Sequence, residues 1–196
     1  MPRIASGAAL CVVAAFAAAC ASTPPSRFYT LSPVAPAGTT MSKLSVVVGP
    51  VSIPALVDLP QIVVSAGPNQ VSIDEFNRWA SPLANNISRV VAENLVLLLG
   101  TPRVSQFQQS LNADADFRVA IEVQSFESAP GEAATLNAAW LVRRTRDGKS
   151  ETGRTTVREP ASEKGYDALA AAHSRALGRM SQDIADAIRT LDRAAP

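Results

Sequence analysis

Apolar side chains recur along this chain with more than one rhythm, and each rhythm predicts an element. Leu83, Ile87, Val90, Val91, Leu95 and Leu98 are spaced three and four apart, the stripe of a helix with one buried side. Ser81 offers a capping hydroxyl, and Pro82 suits the first helical position, where a missing N–H costs nothing. Gly100 and Pro102 end the helix. Asn85, Asn86, Arg89, Glu93 and Asn94 occupy the remaining face, off the buried stripe. A second helix is predicted over 166–191, with Leu169, His173, Leu177, Met180, Ile184, Ile188 and Leu191 on one side. Asp167 near its start and Arg189 and Arg193 near its end suit the helix dipole. Gly178 inside it costs about 1 kcal/mol relative to Ala and leaves room for a close neighbour.

Strands follow from the other rhythms. Val46, Val47, Val48, Val51 and Ile53 form an apolar run without alternation, which predicts a central strand buried on both faces and ended by Pro50 and Pro54. Segments 61–65 and 70–75 flank the turn cluster Ala66-Gly67-Pro68-Asn69 and predict a hairpin. A short strand is expected over 103–107. Phe117, Val119, Ile121 and Val123 alternate with polar neighbours, as do Leu136, Ala138, Trp140 and Val142. With turns at Pro130-Gly131 and Asp147-Gly148 and a return over 153–158, they predict an antiparallel meander. The expectation is one α/β domain, a mixed β-sheet with two long helices and a meander in the second half.

The first residues change the picture. Between Arg3 and Cys20 the chain is apolar, uncharged and small at its end, the plan of an export signal rather than a membrane span. Ala17-Ala18-Ala19-Cys20 resembles a bacterial lipobox, in which the Cys is acylated and begins the mature chain; the plainer alternative is a signal peptide cut after Ala-x-Ala that leaves Cys20 as a free thiol. Cys11 leaves with the signal, so no disulfide is available to the mature chain. Ala21 and Ser22 follow, and the absence of Asp there favours the outer membrane by analogy with lipoprotein sorting. Residues 1–19 are thus expected to be the signal peptide, 20–42 a lipidated Cys and flexible tether rich in Ala, Ser, Thr and Pro, and 43–196 the folded domain. Within the tether Arg27-Phe28-Tyr29-Thr30-Leu31 is β-prone and expected to dock as a short edge strand.

Charge argues against a nucleic-acid partner: past Arg3 there remain 17 basic and 17 acidic residues. Candidate chemistry is sparse. His173 is the only histidine and lies on an apolar stripe, where a packed imidazole is the commoner reading. Asp114 and Asp116 read as turn residues at a strand start. Neither a Gly-x-Ser-x-Gly elbow nor a phosphate-binding loop occurs, and no set of residues is spaced to hold a metal, so a non-catalytic protein without cofactor is expected.

Cys20, Phe28-Tyr29-Thr30-Leu31, Asp58 with Pro60-Gln61-Ile62-Val63, and Arg78-Trp79-Ala80 with Pro82-Leu83 occur in an order that resembles the ABC-type transport auxiliary lipoprotein family, which includes subunits of paraquat-inducible-type intermembrane transport systems. Leu56 and Leu59 stand where the family has an aromatic residue and an Arg, so roles of those two side chains do not carry over. The resemblance implies a three-layer α/β domain on an outer-membrane lipoprotein that faces the periplasm. It further implies work with an MCE-domain protein, a permease and an ATPase in moving lipids between membranes, and a homo-oligomer. Two readings of Arg78 and Trp79 stay open: anchors of a partner interface, or a Trp packed beneath the first helix beside a locally paired Arg. Two rivals also stand: an envelope assembly or scaffold lipoprotein unrelated to transport, and a periplasmic hydrolase using His173 with Ser174 or a distant acid.

Overall fold

The computed structural model describes residues 24–36, 38, 41–107, 115–163 and 165–194. The expected signal peptide, the acylation site at Cys20 and Asp114 lie outside these residues. The elements are β1 (Arg27–Tyr29), β2 (Val46–Ser52), β3 (Gln61–Gly67), β4 (Gln70–Trp79), α1 (Leu83–Leu99), β5 (Val104–Gln106), β6 (Phe117–Ala129), β7 (Ala133–Arg144), β8 (Ser150–Pro160) and α2 (Tyr166–Arg193). The fold is α/β, as expected, with mixed sheets and two long helices.

The strands divide between two sheets where one was expected. The larger has the order β5-β2-β6-β7-β8; β2 runs parallel to β5 and β6, and β6, β7 and β8 form the antiparallel meander. Val46, Val47 and Val48 are all buried, because β2 is covered on both faces as its unbroken apolar run requires. The smaller sheet has the order β1-β4-β3. It packs on the larger sheet instead of joining it: Ile62, Val63, Val64 and Trp79 belong to the shared core, β3 lies against β6, and Trp79 meets Phe126 edge-on at 6.2 Å.

Pro50 does not end β2. The strand continues to Ser52, and Pro50 sits in the irregular register between Val48 and Val51, where a residue without an N–H removes no ladder bond.

Both helices lie against the larger sheet, α1 over β2 and β5 and α2 over β7 and β8, and they pack on each other. All six apolar positions predicted for α1 are buried, and Gly100 takes the left-handed conformation at its end, φ 61°. Ser81 makes no cap: the cap position is Pro82, whose carbonyl accepts the Asn86 N–H at 3.0 Å.

Asn86 and Asn94 are buried rather than facing water. The cause is the N-terminal segment, whose described residues from Arg27 to Ser42 are docked where a flexible tether was expected. Leu31 is 1% exposed, and beyond it the chain crosses the two helices. Asn94 Oδ1 accepts from the Val34 and Ala35 amides at 3.0 Å each, while its Nδ2 donates to Ser181 Oγ on α2 at 3.2 Å. Ser174 Oγ accepts the Ser32 amide at 3.1 Å, and the Gly38 and Ser42 amides cap the Leu97 and Gly100 carbonyls at the end of α1. Gly178 is the passage the sequence left for a neighbour: a side chain there would meet Val34 Cγ2 at 2.8 Å.

Candidate functional site

Three segments far apart in sequence converge at the base of the smaller sheet. β1 lies parallel to the end of β4, with Arg27 opposite Asn77, Phe28 opposite Arg78 and Tyr29 opposite Trp79. The Trp79 amide donates to the Pro60 carbonyl and the Ala80 amide to the Tyr29 carbonyl, both at 2.8 Å, while Gln61 stands opposite Arg78. The Phe-Tyr-Thr-Leu, Pro-Gln and Arg-Trp segments are thus one structural unit. Asp58 stays exposed in the turn that leads into β3, its amide donating to the Ala55 carbonyl at 3.3 Å.

Buried and half-buried groups fix this junction from behind. Arg89 of α1 donates to the Leu31 carbonyl at 2.6 Å and to Asn86 Oδ1 at 2.8 Å, with Glu93 on its other nitrogen at 2.8 Å. Tyr29 donates its hydroxyl to Asn77 Oδ1 at 2.8 Å and packs its ring 5.9 Å from that of Tyr166. Tyr166 in turn donates to Asp74 Oδ2 at 2.8 Å, and Asp74 Oδ1 accepts the amides of Phe76 and Asn77. Burial works to raise the Asp74 carboxyl, but the donors from Phe76, Tyr166 and Asn77 outweigh it and hold the group below the usual carboxylate range. Burial, then the bond to Asp74 and its charge, push the Tyr166 hydroxyl up to about 12, so it remains a donor.

The two singled-out residues divide inward and outward. Trp79 is 6% exposed and belongs to the core. Arg78 keeps its side chain 36% exposed, its Nε donating to the Glu75 carbonyl at 2.9 Å and its Nη2 3.6 Å from the Glu75 carboxylate. Beside it stands Phe28, 65% exposed, in the strand that docks as expected. The strand period, which turns Phe28 to the side opposite Tyr29, was the available signal for that exposure. Leu56 is exposed and Leu59 packs against the core. The outward surface offers a ring and a guanidinium, suited to recognition rather than bond breaking.

His173 lies elsewhere and is sealed. It is fully buried, stacked on Phe126 at 3.7 Å, with Nε2 bonded to Ser128 Oγ at 2.8 Å. Burial lowers its pKa to about 3, leaving it neutral at physiological pH. Ser174 is not its partner; that hydroxyl donates to the Ala170 carbonyl at 2.7 Å, so the hydrolase reading finds no paired nucleophile and base there. Among the described residues no group of three His, Cys, Asp or Glu is placed to hold a metal ion.

Two solved structures share the fold. An uncharacterized protein of known crystal structure is 21% identical, covers 84% of this chain and 99% of its own, and superposes with a TM-score of 0.69. Protein XCC0632 from Xanthomonas campestris is 20% identical, covers 86% of this chain and 99% of its own, and gives a TM-score of 0.70. No curated protein matches the sequence. The family model for the ABC-type transport auxiliary lipoprotein component matches residues 29–185, a span that takes in Tyr29, Pro60 and Trp79 and nearly everything folded around them. The chain belongs to that family of transport auxiliary lipoproteins.

Proposed function

We propose that this protein is a non-catalytic auxiliary subunit of an MCE-type intermembrane lipid transport system, held at the periplasmic face of the outer membrane by acylated Cys20. The family match over residues 29–185 carries the reading. The junction of β1, β3 and β4 supports it, since half-buried hydrogen bonds at Tyr29 and Leu31 fix the strand that presents the exposed Phe28 beside Arg78. In this reading Arg78 contacts the MCE-domain protein and Trp79 anchors Arg78 from within the core. Several copies of the subunit assemble, and the permease and ATPase complete the system. Attachment to a membrane concentrates a weak docking contact, so a modest surface suffices.

The test is crosslinking in intact membranes followed by purification and mass spectrometry. Recovery of an MCE-domain protein, its permease and its ATPase, with an acylated N-terminal Cys20 peptide, is the expected result. Recovery of envelope scaffold proteins alone would replace transport with the assembly reading.

A further inference from the structure

β1 runs parallel to β4, so the chain leading into Arg27 arrives from the same end of the small sheet as the turn at Pro68 and Asn69. Pro24 and Pro25 precede β1 and, lacking an N–H, cannot extend it along β4. Among the described residues β4 therefore has a strand neighbour on that side only at Asn77, Arg78 and Trp79, and its stretch 70–75 is open. On that stretch Val71 and Ile73 are 45% and 46% exposed and, two apart, share a face.

Two lengths decide what covers them. Cys20 precedes Arg27 by seven residues, at most about 25 Å of chain. Asn77, beside Arg27, is likewise seven residues from Gln70, at most about 23 Å of strand and less for the bulge before Arg78. Along the axis of β1 the chain therefore cannot carry Cys20 more than roughly 10 Å past the level of the turn, so an anchor on that side keeps this end of the domain close to the lipid. Glu127, Glu132 and Arg158 are the charged residues that share a cleft with the turn, Arg158 paired with Glu132 at 3.5 Å, and they form no basic cluster, so apolar contact rather than attraction to anionic lipid drives the approach. The open amides of β4 need water and limit the depth to the headgroup layer.

The geometry points to the β3–β4 hairpin, through Val71 and Ile73, resting in the headgroup layer of the membrane that holds Cys20. This inference rests on the lipid-anchor reading of Cys20 and adds an orientation to it: the domain stands against its membrane on a chosen end.

The test places the acylated full chain in zwitterionic phosphatidylcholine vesicles carrying headgroup-nitroxide lipid. Fluorescent labels are attached through Val71→Cys or Ile73→Cys and, as controls on other surfaces, Leu97→Cys or Leu141→Cys. Labels at 71 and 73 should lose most of their emission, equally at low and high salt, while those at 97 and 141 keep theirs. Equal emission from all four positions overturns the orientation. So does excimer emission from pyrene at 71 without vesicles, which would mean that a second copy covers the open edge. Mass spectrometry of the same sample separates the two readings: an unmodified Cys20 overturns the anchor and the orientation with it, whereas an acylated Cys20 with unquenched labels overturns the orientation alone.

Discussion

Asn94 shows at the scale of one side chain what the helical period hides. Its amide serves two backbone donors of the N-terminal segment and one hydroxyl of α2, so three parts of the chain meet on it. Asn94→Ala should cost about 2 kcal/mol, since the Val34 and Ala35 amides lose their acceptor together. Thermal melting and faster proteolysis within 32–38 would check this. The apolar stripe of α1 was legible, but the burial of Asn86 and Asn94 was not. Part of what covers them is a segment about 60 residues earlier whose Pro-rich composition reads as unfolded. His173 gives a second test at this scale. Its ordinary pKa of 6.5 falls to about 3 in the folded protein, so the unfolded chain binds the proton first. Its neutral form contributes stability that is fully present above 6.5 and is lost as pH falls from there toward 3. The slope approaches about 1.4 kcal/mol per pH unit in the limit. Melting temperature should drop between pH 6.5 and 5, where the only histidine is the side chain that titrates. A folded His173→Gln variant should flatten that dependence.

Elements were more legible than contacts. Alternation gave β6 and β7 with their buried sides, and turn residues gave both meander hairpins, because local rules act there without help from distant residues. Gly131 and Gly148 take φ of 75° and 74° as those turns require. The passage of β2 through Pro50 was not legible, because it depends on a bulge made by pairing with β6. β8 carries a constraint of the same non-local kind: Gly153 lies opposite Trp140, and a Cβ there would fall 2.1 Å from the indole ring. That indole also donates to Thr155 Oγ1 at 3.1 Å, which donates onward to Asp183 of α2 at 2.5 Å. Gly153→Ala should therefore destabilise by about 2 kcal/mol by pushing Trp140 off its bond. Denaturant midpoints of the variant and the parent chain would show it.

For the whole molecule, the convergence of three motif segments was invisible to spacing, since strand pairing across about 50 residues has no local signature. Arg78 and Trp79 were found as a pair, and only the fold parts them into an outward and an inward residue. Arg78→Glu should leave folding stability within about 0.5 kcal/mol of the parent while reducing recovery of the MCE-domain protein, because a half-exposed ion pair contributes little to folding. Trp79→Ala should instead cost about 3 kcal/mol through the cavity beside Phe126. Loss of recovery in both without any change in melting would refute this division. The parallel pairing of β1 with β4 has a mechanical consequence. Tension entering through the residues before Arg27 runs along the strand axis, so the pairs at Arg27, Phe28 and Tyr29 resist together in shear instead of opening one at a time like a zip. Behind them, the bond from Arg89 of α1 to the Leu31 carbonyl and the buried Leu31 side chain pass the remaining load to the helical layer.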